Sequence, residues 1–73
     1  MPYSYTRNQK IAFLGGDRWF EGKYLRAVGD IHVVQFESLV GPLEYKVPPL
    51  HLMPLEVARE EGVKLEEPVD KAA

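Results

Sequence analysis

Reactive side chains are scarce in this chain of 73 residues, which has two histidines and no cysteine. His32 and His51 are far apart, and the close spacing of nitrogen and sulfur ligands that a zinc site needs is missing. Ser4 and Ser38 lack the G-x-S-x-G elbow that activates a serine nucleophile. Gly15-Gly16 is not followed by the glycine-lysine-serine/threonine pattern of a phosphate loop. Asp17, Glu21 and Asp30 fall at turns and on an amphipathic segment, where solvation accounts for them. The expectation is a non-enzyme with no catalytic residue, metal or cofactor.

What stands out instead is an aromatic pair, Trp19-Phe20. Neighbours on a strand point to opposite faces, so one of the two rings points away from the core unless the strand bulges. Tryptophan buries a large apolar area with few torsions and is favoured at binding hot spots. The competing reading is that the outward ring packs on Tyr3 or Tyr5, or on the C-terminal tail. The two readings stand level.

The elements that must carry these rings read as short strands. Lys10–Leu14 is a first strand, and Gly15-Gly16-Asp17-Arg18 has turn chemistry because glycine takes positive φ without steric cost. Trp19–Val28 is a second strand. Its Gly22 suggests a bulge or bend that swaps the facing of the later strand residues. Gly29-Asp30 is a two-residue hairpin signal, leading into Ile31–Phe36. Residues 37–42 read as a loop, and Leu43–Val47 alternates as a fourth strand.

Pro48-Pro49-Leu50-His51 suggests a 3₁₀ turn, Leu52-Met53 a brief fifth strand, and Leu55–Glu61 a short helix with Gly62 as its cap. The expected core is Ile11, Phe13, Tyr24 or Leu25, Ala27, Ile31, Val33, Leu43 or Tyr45, Val47, Leu50 and Leu52. The chain divides into a loose arm (1–9), a β-barrel (10–54), and a short helix with a disordered acidic tail (55–73). Short strands with tight turns point to a mainly β protein, a small barrel of four to five antiparallel strands whose closure removes exposed edges.

Charge narrows the partners. The formal net charge is −2, with six basic against five acidic residues over 1–55 and three against six over 56–73. Nucleic-acid affinity rests on clustered Lys and Arg, so nucleic acid ranks behind protein as a partner. Arg18, Lys23, Arg26 and Lys46 are the cations it would use. The acidic tail could steer a basic peptide. No apolar run spans a bilayer and the N-terminal residues lack a signal-peptide core. A monomeric, cytoplasmic protein without membrane contact is expected.

Three stretches carry a resemblance. Arg18-Trp19-Phe20-Glu21-Gly22-Lys23-Tyr24-Leu25, Ile31-His32-Val33-Val34-Gln35-Phe36, and Glu44-Tyr45-Lys46-Val47 through Pro54 resemble the Tudor-like and SH3-like small barrels over residues 10–54. Tudor domains read methylated lysine or arginine through aromatic cages. Carried over by position, that cage implies Leu14, Phe20, Phe36 and a residue near Leu39, only two of them aromatic. Val34-Gln35-Phe36-Glu37 is similar over its first two residues to a strand of the plasmid-type dihydrofolate reductases and departs from it in the last two, where a glutamate stands in place of the tyrosine.

In size and character the chain resembles small phage-encoded proteins that bind host RNA polymerase and modulate transcription. That resemblance implies a transcription regulator in the host cytoplasm, bound to an RNA polymerase segment. The residues expected to meet a protein partner are Arg18, Trp19, Phe20, Tyr24, Phe36 and Tyr45.

Overall fold

A computed structural model describes residues 3–66. It is mainly β. The strands are β1 (Lys10–Gly15), β2 (Arg18–Val28), β3 (Ile31–Ser38), β4 (Gly41–Val47), β5 (Leu52–Pro54) and β6 (Leu65–Glu66). A 3₁₀ turn at Pro49–His51 precedes β5, and one helix, α1 (Leu55–Glu60), follows it. The first five strands form an antiparallel sheet in the order β4-β3-β2-β1-β5. The expected barrel is not closed, because β4 and β5 lie at opposite ends of that order and do not pair.

The turns follow local chemistry. Gly16 (φ 66°) and Gly29 (φ 62°) supply the left-handed conformations that the β1–β2 and β2–β3 hairpins need. Residues 37–42, expected as a loop, instead extend β3 and β4 to a tight turn at Leu39-Val40. Ser38 makes that turn. Its Oγ donates to the Gly41 carbonyl (2.8 Å) and accepts from the Val40 N–H (3.2 Å), local bonding that replaces turn-forming residues. Helix α1 ends as expected on Gly62 (φ 73°), with Gly62 N–H donating to the Arg59 carbonyl and Val63 N–H to that of Ala58. This pair of bonds is the Schellman pattern.

Gly22 does not mark a bulge. The β2–β3 register shifts between Tyr24 and Arg26, so Leu25 is the extra residue. This is why both Tyr24 and Leu25 are buried where alternation allows one. Gly22 is needed for close approach: a Cβ there would sit 2.6 Å from the Gln35 carbonyl oxygen and 3.1 Å from the Phe13 ring.

The core has two parts. The larger is Ile11, Phe13, Tyr24, Val34, Val47 and Leu52, with Tyr5, Phe20 and Phe36 packed on it. The smaller, on the other face of β1, is Ala12, Leu55 and Ala58, covered by Trp19, Met53, Val63 and Leu65. Val33 and Val34 are both buried. Ala27, Leu43, Tyr45 and Leu50, named as core or as core alternatives from alternation, are exposed, and Ile31 is half-buried. Ala27 lies past the Leu25 bulge, which reverses the facing of the strand end. Leu43 and Tyr45 lie on the end strand, which among the described residues has a neighbour on one side only.

Two segments outside the sheet pattern are tied down. Before β1, the Asn8 N–H donates to the Tyr24 carbonyl (2.7 Å), and the Tyr24 N–H donates to that of Gln9 (2.8 Å). After α1, β6 runs parallel to β2, pairing Leu65 with Trp19 and Glu66 with Phe20. The remainder of the expected acidic tail, including Glu67 and Asp70, lies outside the described residues. Among the described residues no helix is long and apolar enough to cross a membrane.

Candidate functional site

Four rings, one from each of the first four strands, gather at one end of the sheet. Phe13 of β1 stands directly across from Phe20 of β2 in the hairpin register, and their centroids are 5.7 Å apart. Phe36 of β3 meets Phe20 edge-to-face at 5.1 Å and 71°, and Phe13 at 5.8 Å and 82°. Tyr45 of β4 lies 5.6 Å from Phe13 and 6.0 Å from Phe36. Edge-to-face contacts place the positive ring edge on a negative face, which favours this arrangement beyond the area buried.

The β2–β3 ladder ends at Lys23–Gln35, and beyond it β6 takes the place of β3 beside Trp19 and Phe20. A cleft opens between the β1–β2 turn and β4. The rings, with Leu14, Gly15, Gly16, Lys46 and Val47, line a space of about 430 Å³. Gly15 matters to its shape, since a Cβ there would press to 3.2 Å from the Phe20 ring. No carboxylate lines the cleft, and Lys46 is its charged wall residue.

Of the six residues expected to meet a partner, the fold brings Phe20, Phe36 and Tyr45 together. The other three lie elsewhere. Trp19 points to the opposite face, half-buried over Ala12, Leu55 and Ala58. That packing is the covering role weighed against a hot spot, with the helix and β6 as its partners. Tyr24 is buried. Its ring stacks on Tyr5 at 4.9 Å and its hydroxyl lies 2.9 Å from His32 Nδ1, a bond it donates when that nitrogen is unprotonated. Arg18 is exposed and reaches Glu66 at 3.6 Å and Asp17 at 3.9 Å.

Within the positions carried over from the Tudor cage, Leu14 lines the cleft with Phe20 and Phe36, whereas Leu39 does not. Phe13 was missed as a site residue because it read as core. Counting outward from the Gly16-Asp17 turn pairs it with Phe20, a signal present in the sequence. The sequence marks Lys46 only as a cation for nucleic acid, not as a wall of this cleft.

A second groove of about 540 Å³ lies between the N-terminal segment, the 3₁₀ turn and α1, lined among others by Tyr3, Tyr5, His32 and Leu50. Beside it, burial together with the neighbouring Tyr3 and Tyr24 hydroxyls pushes the Tyr5 pKa up to about 12. Among the described residues no group of three or more histidine, aspartate or glutamate side chains could hold a metal ion. No protein-family profile, curated protein or solved structure matches this chain.

Proposed function

We propose that the chain is a non-enzymatic protein-binding module whose ring cleft takes an apolar side chain from a peptide segment of a larger protein. The observation that carries this is the convergence of Phe13, Phe20, Phe36 and Tyr45 around an open space walled by no carboxylate. Rings on rigid strands present apolar area at little conformational cost, as binding hot spots require. A methyl-ammonium guest is less well served, because a cation, Lys46, lines the cleft and Leu14 stands where the carried-over cage has an aromatic ring.

The strand order and the 3₁₀ turn before β5 support the resemblance to SH3-like and Tudor-like barrels. Nucleic acid is the weaker reading, since Arg18 and Arg26 are already paired with Glu66 and Glu44. The size-based likeness to phage-encoded regulators makes RNA polymerase segments the first partner peptides to try.

The test is selection from a displayed peptide library, followed by fluorescence polarisation with the enriched peptide. Phe36→Ala is expected to weaken binding roughly thirtyfold, the loss of about 2 kcal/mol typical of a central ring. Equal affinity for the folded variant and the parent would refute the cleft as the site.

A further inference from the structure

Strand β4 has hydrogen-bonding groups along an edge that no described strand covers, and its residues Pro42 to Lys46 are all exposed. We infer that this edge pairs with the same edge of a second copy, antiparallel about a two-fold axis at Tyr45, and that the chain forms a homodimer.

The register is set by Pro42. Proline has no N–H, so Pro42 opposite Glu37 cannot be a hydrogen-bonded pair of the β3–β4 ladder. The bonded pairs are therefore Phe36–Leu43, Val34–Tyr45 and His32–Val47. The backbone groups of Glu44 and Lys46, between them, point to the free side.

With the axis at Tyr45, Glu44 of one copy faces Lys46 of the other, twice over. Both become hydrogen-bonded pairs, and both carry opposite charges, which is the favourable cross-strand combination. Pro42 falls opposite Pro48, which continues the line of β4 in an extended conformation (φ −75°, ψ 161°). The two residues unable to donate thus face each other, and no amide is left without a partner.

The same register collects the most exposed apolar side chains of the described residues. Leu39 (86% exposed) and Val40 (82%) form the β3–β4 turn, and Leu50 (90%) stands on the 3₁₀ turn at the far end of β4. The Leu39-Val40 turn of one copy and the 3₁₀ turn carrying Leu50 of the other thus lie beyond the same end of the pairing, at both ends. A proline and alternating charges on an edge strand usually protect against pairing. Protection does not require opposite charges in self-complementary positions, nor an apolar residue beyond each end.

Light scattering during size-exclusion chromatography of the full chain is expected to give twice the 8.3 kDa chain mass as concentration rises. This departs from the monomer that the sequence suggested. Lys46→Glu places like charges opposite each other twice and should raise the dimer dissociation constant at least tenfold. Adding Glu44→Lys, together with Arg26→Glu to keep the ion pair that position 44 makes within its own chain, restores complementarity and should restore the dimer.

Since the chain has no cysteine, Tyr45→Cys offers an independent readout. Two such residues on the axis would have Cα atoms about 4.5 Å apart, within disulfide range. Oxidation should cross-link this variant much faster than Asp30→Cys, which lies on the exposed β2–β3 turn. A mass of one chain up to millimolar concentration overturns the inference. So does a dimer indifferent to Lys46→Glu, or cross-linking at Tyr45→Cys no faster than at Asp30→Cys. Peptide binding by a strict monomer would leave the ring cleft standing while removing the dimer.

Discussion

At the scale of single residues, glycines and tyrosines hold the sheet in shape more than the sequence suggests. Gly22 lets β1, β2 and β3 approach where any side chain collides with backbone. Gly22→Ala is expected to cost about 2 kcal/mol, within the range for overpacking a tight site, read as a lower midpoint in urea unfolding. Tyr5 gives a pH signature. Its pKa is about 12 in the folded chain against 10.0 for the free side chain, burial being the leading cause. The folded state therefore holds this proton more tightly.

The contribution of Tyr5 to stability is complete below pH 10 and is lost as pH rises from about 10 to about 12. Alkaline unfolding titrations of Tyr5→Phe, which keeps the stacked ring, should show a shallower decline over that window than the parent. An identical slope would show that the Tyr5 proton plays no part. The special role of Gly22 was legible in the sequence as a glycine inside a strand, but its cause was not. A bulge and a close approach leave the same trace, and only the positions of Phe13 and Gln35 separate them.

At the scale of elements, the antiparallel hairpins were readable because glycine turns and alternating apolar residues mark them. Strands β1 to β5 fall within a few residues of their expected limits. Three features escaped. The Leu39-Val40 turn is built of residues without turn preference and depends on the Ser38 hydroxyl. The Leu25 bulge has no glycine or polar marker. Strand β6 is two residues long and pairs in parallel with residues far back in the chain, so no local period announces it.

The consequence of β6 is that Trp19 is covered, because Leu65 packs with it over the smaller cluster. Leu65→Ala, at a half-buried position, should cost about 1 kcal/mol, lower the melting temperature by roughly 4–8 °C, and shift Trp19 emission to longer wavelength. Affinity for a peptide in the ring cleft should be unchanged, since that cleft lies on the other face of β2. A loss of affinity would mean that the two faces are coupled.

At the scale of the whole molecule, the arrangement separates two aromatic surfaces that adjacent residues begin. Trp19 serves the joint between sheet and helix, while Phe20 turns into the cleft with Phe36 and Tyr45. The pair itself was legible as two rings facing opposite ways. Which ring served which surface depended on the placement of α1 and β6 after the strands. With Arg18 and Arg26 in ion pairs and no basic patch around the cleft, labelled single- and double-stranded oligonucleotides are expected to show no binding at low salt.

The most direct test of the account is amide chemical-shift mapping of the isotope-labelled chain during titration with a library-selected peptide. The shifts should centre on Phe20, Phe36, Tyr45 and the Gly15-Gly16 turn, leaving Trp19, Leu55 and Ala58 still. Shifts centred on Trp19 and the helix, or spread along the Tyr3, Tyr5 and Leu50 groove, would contradict it.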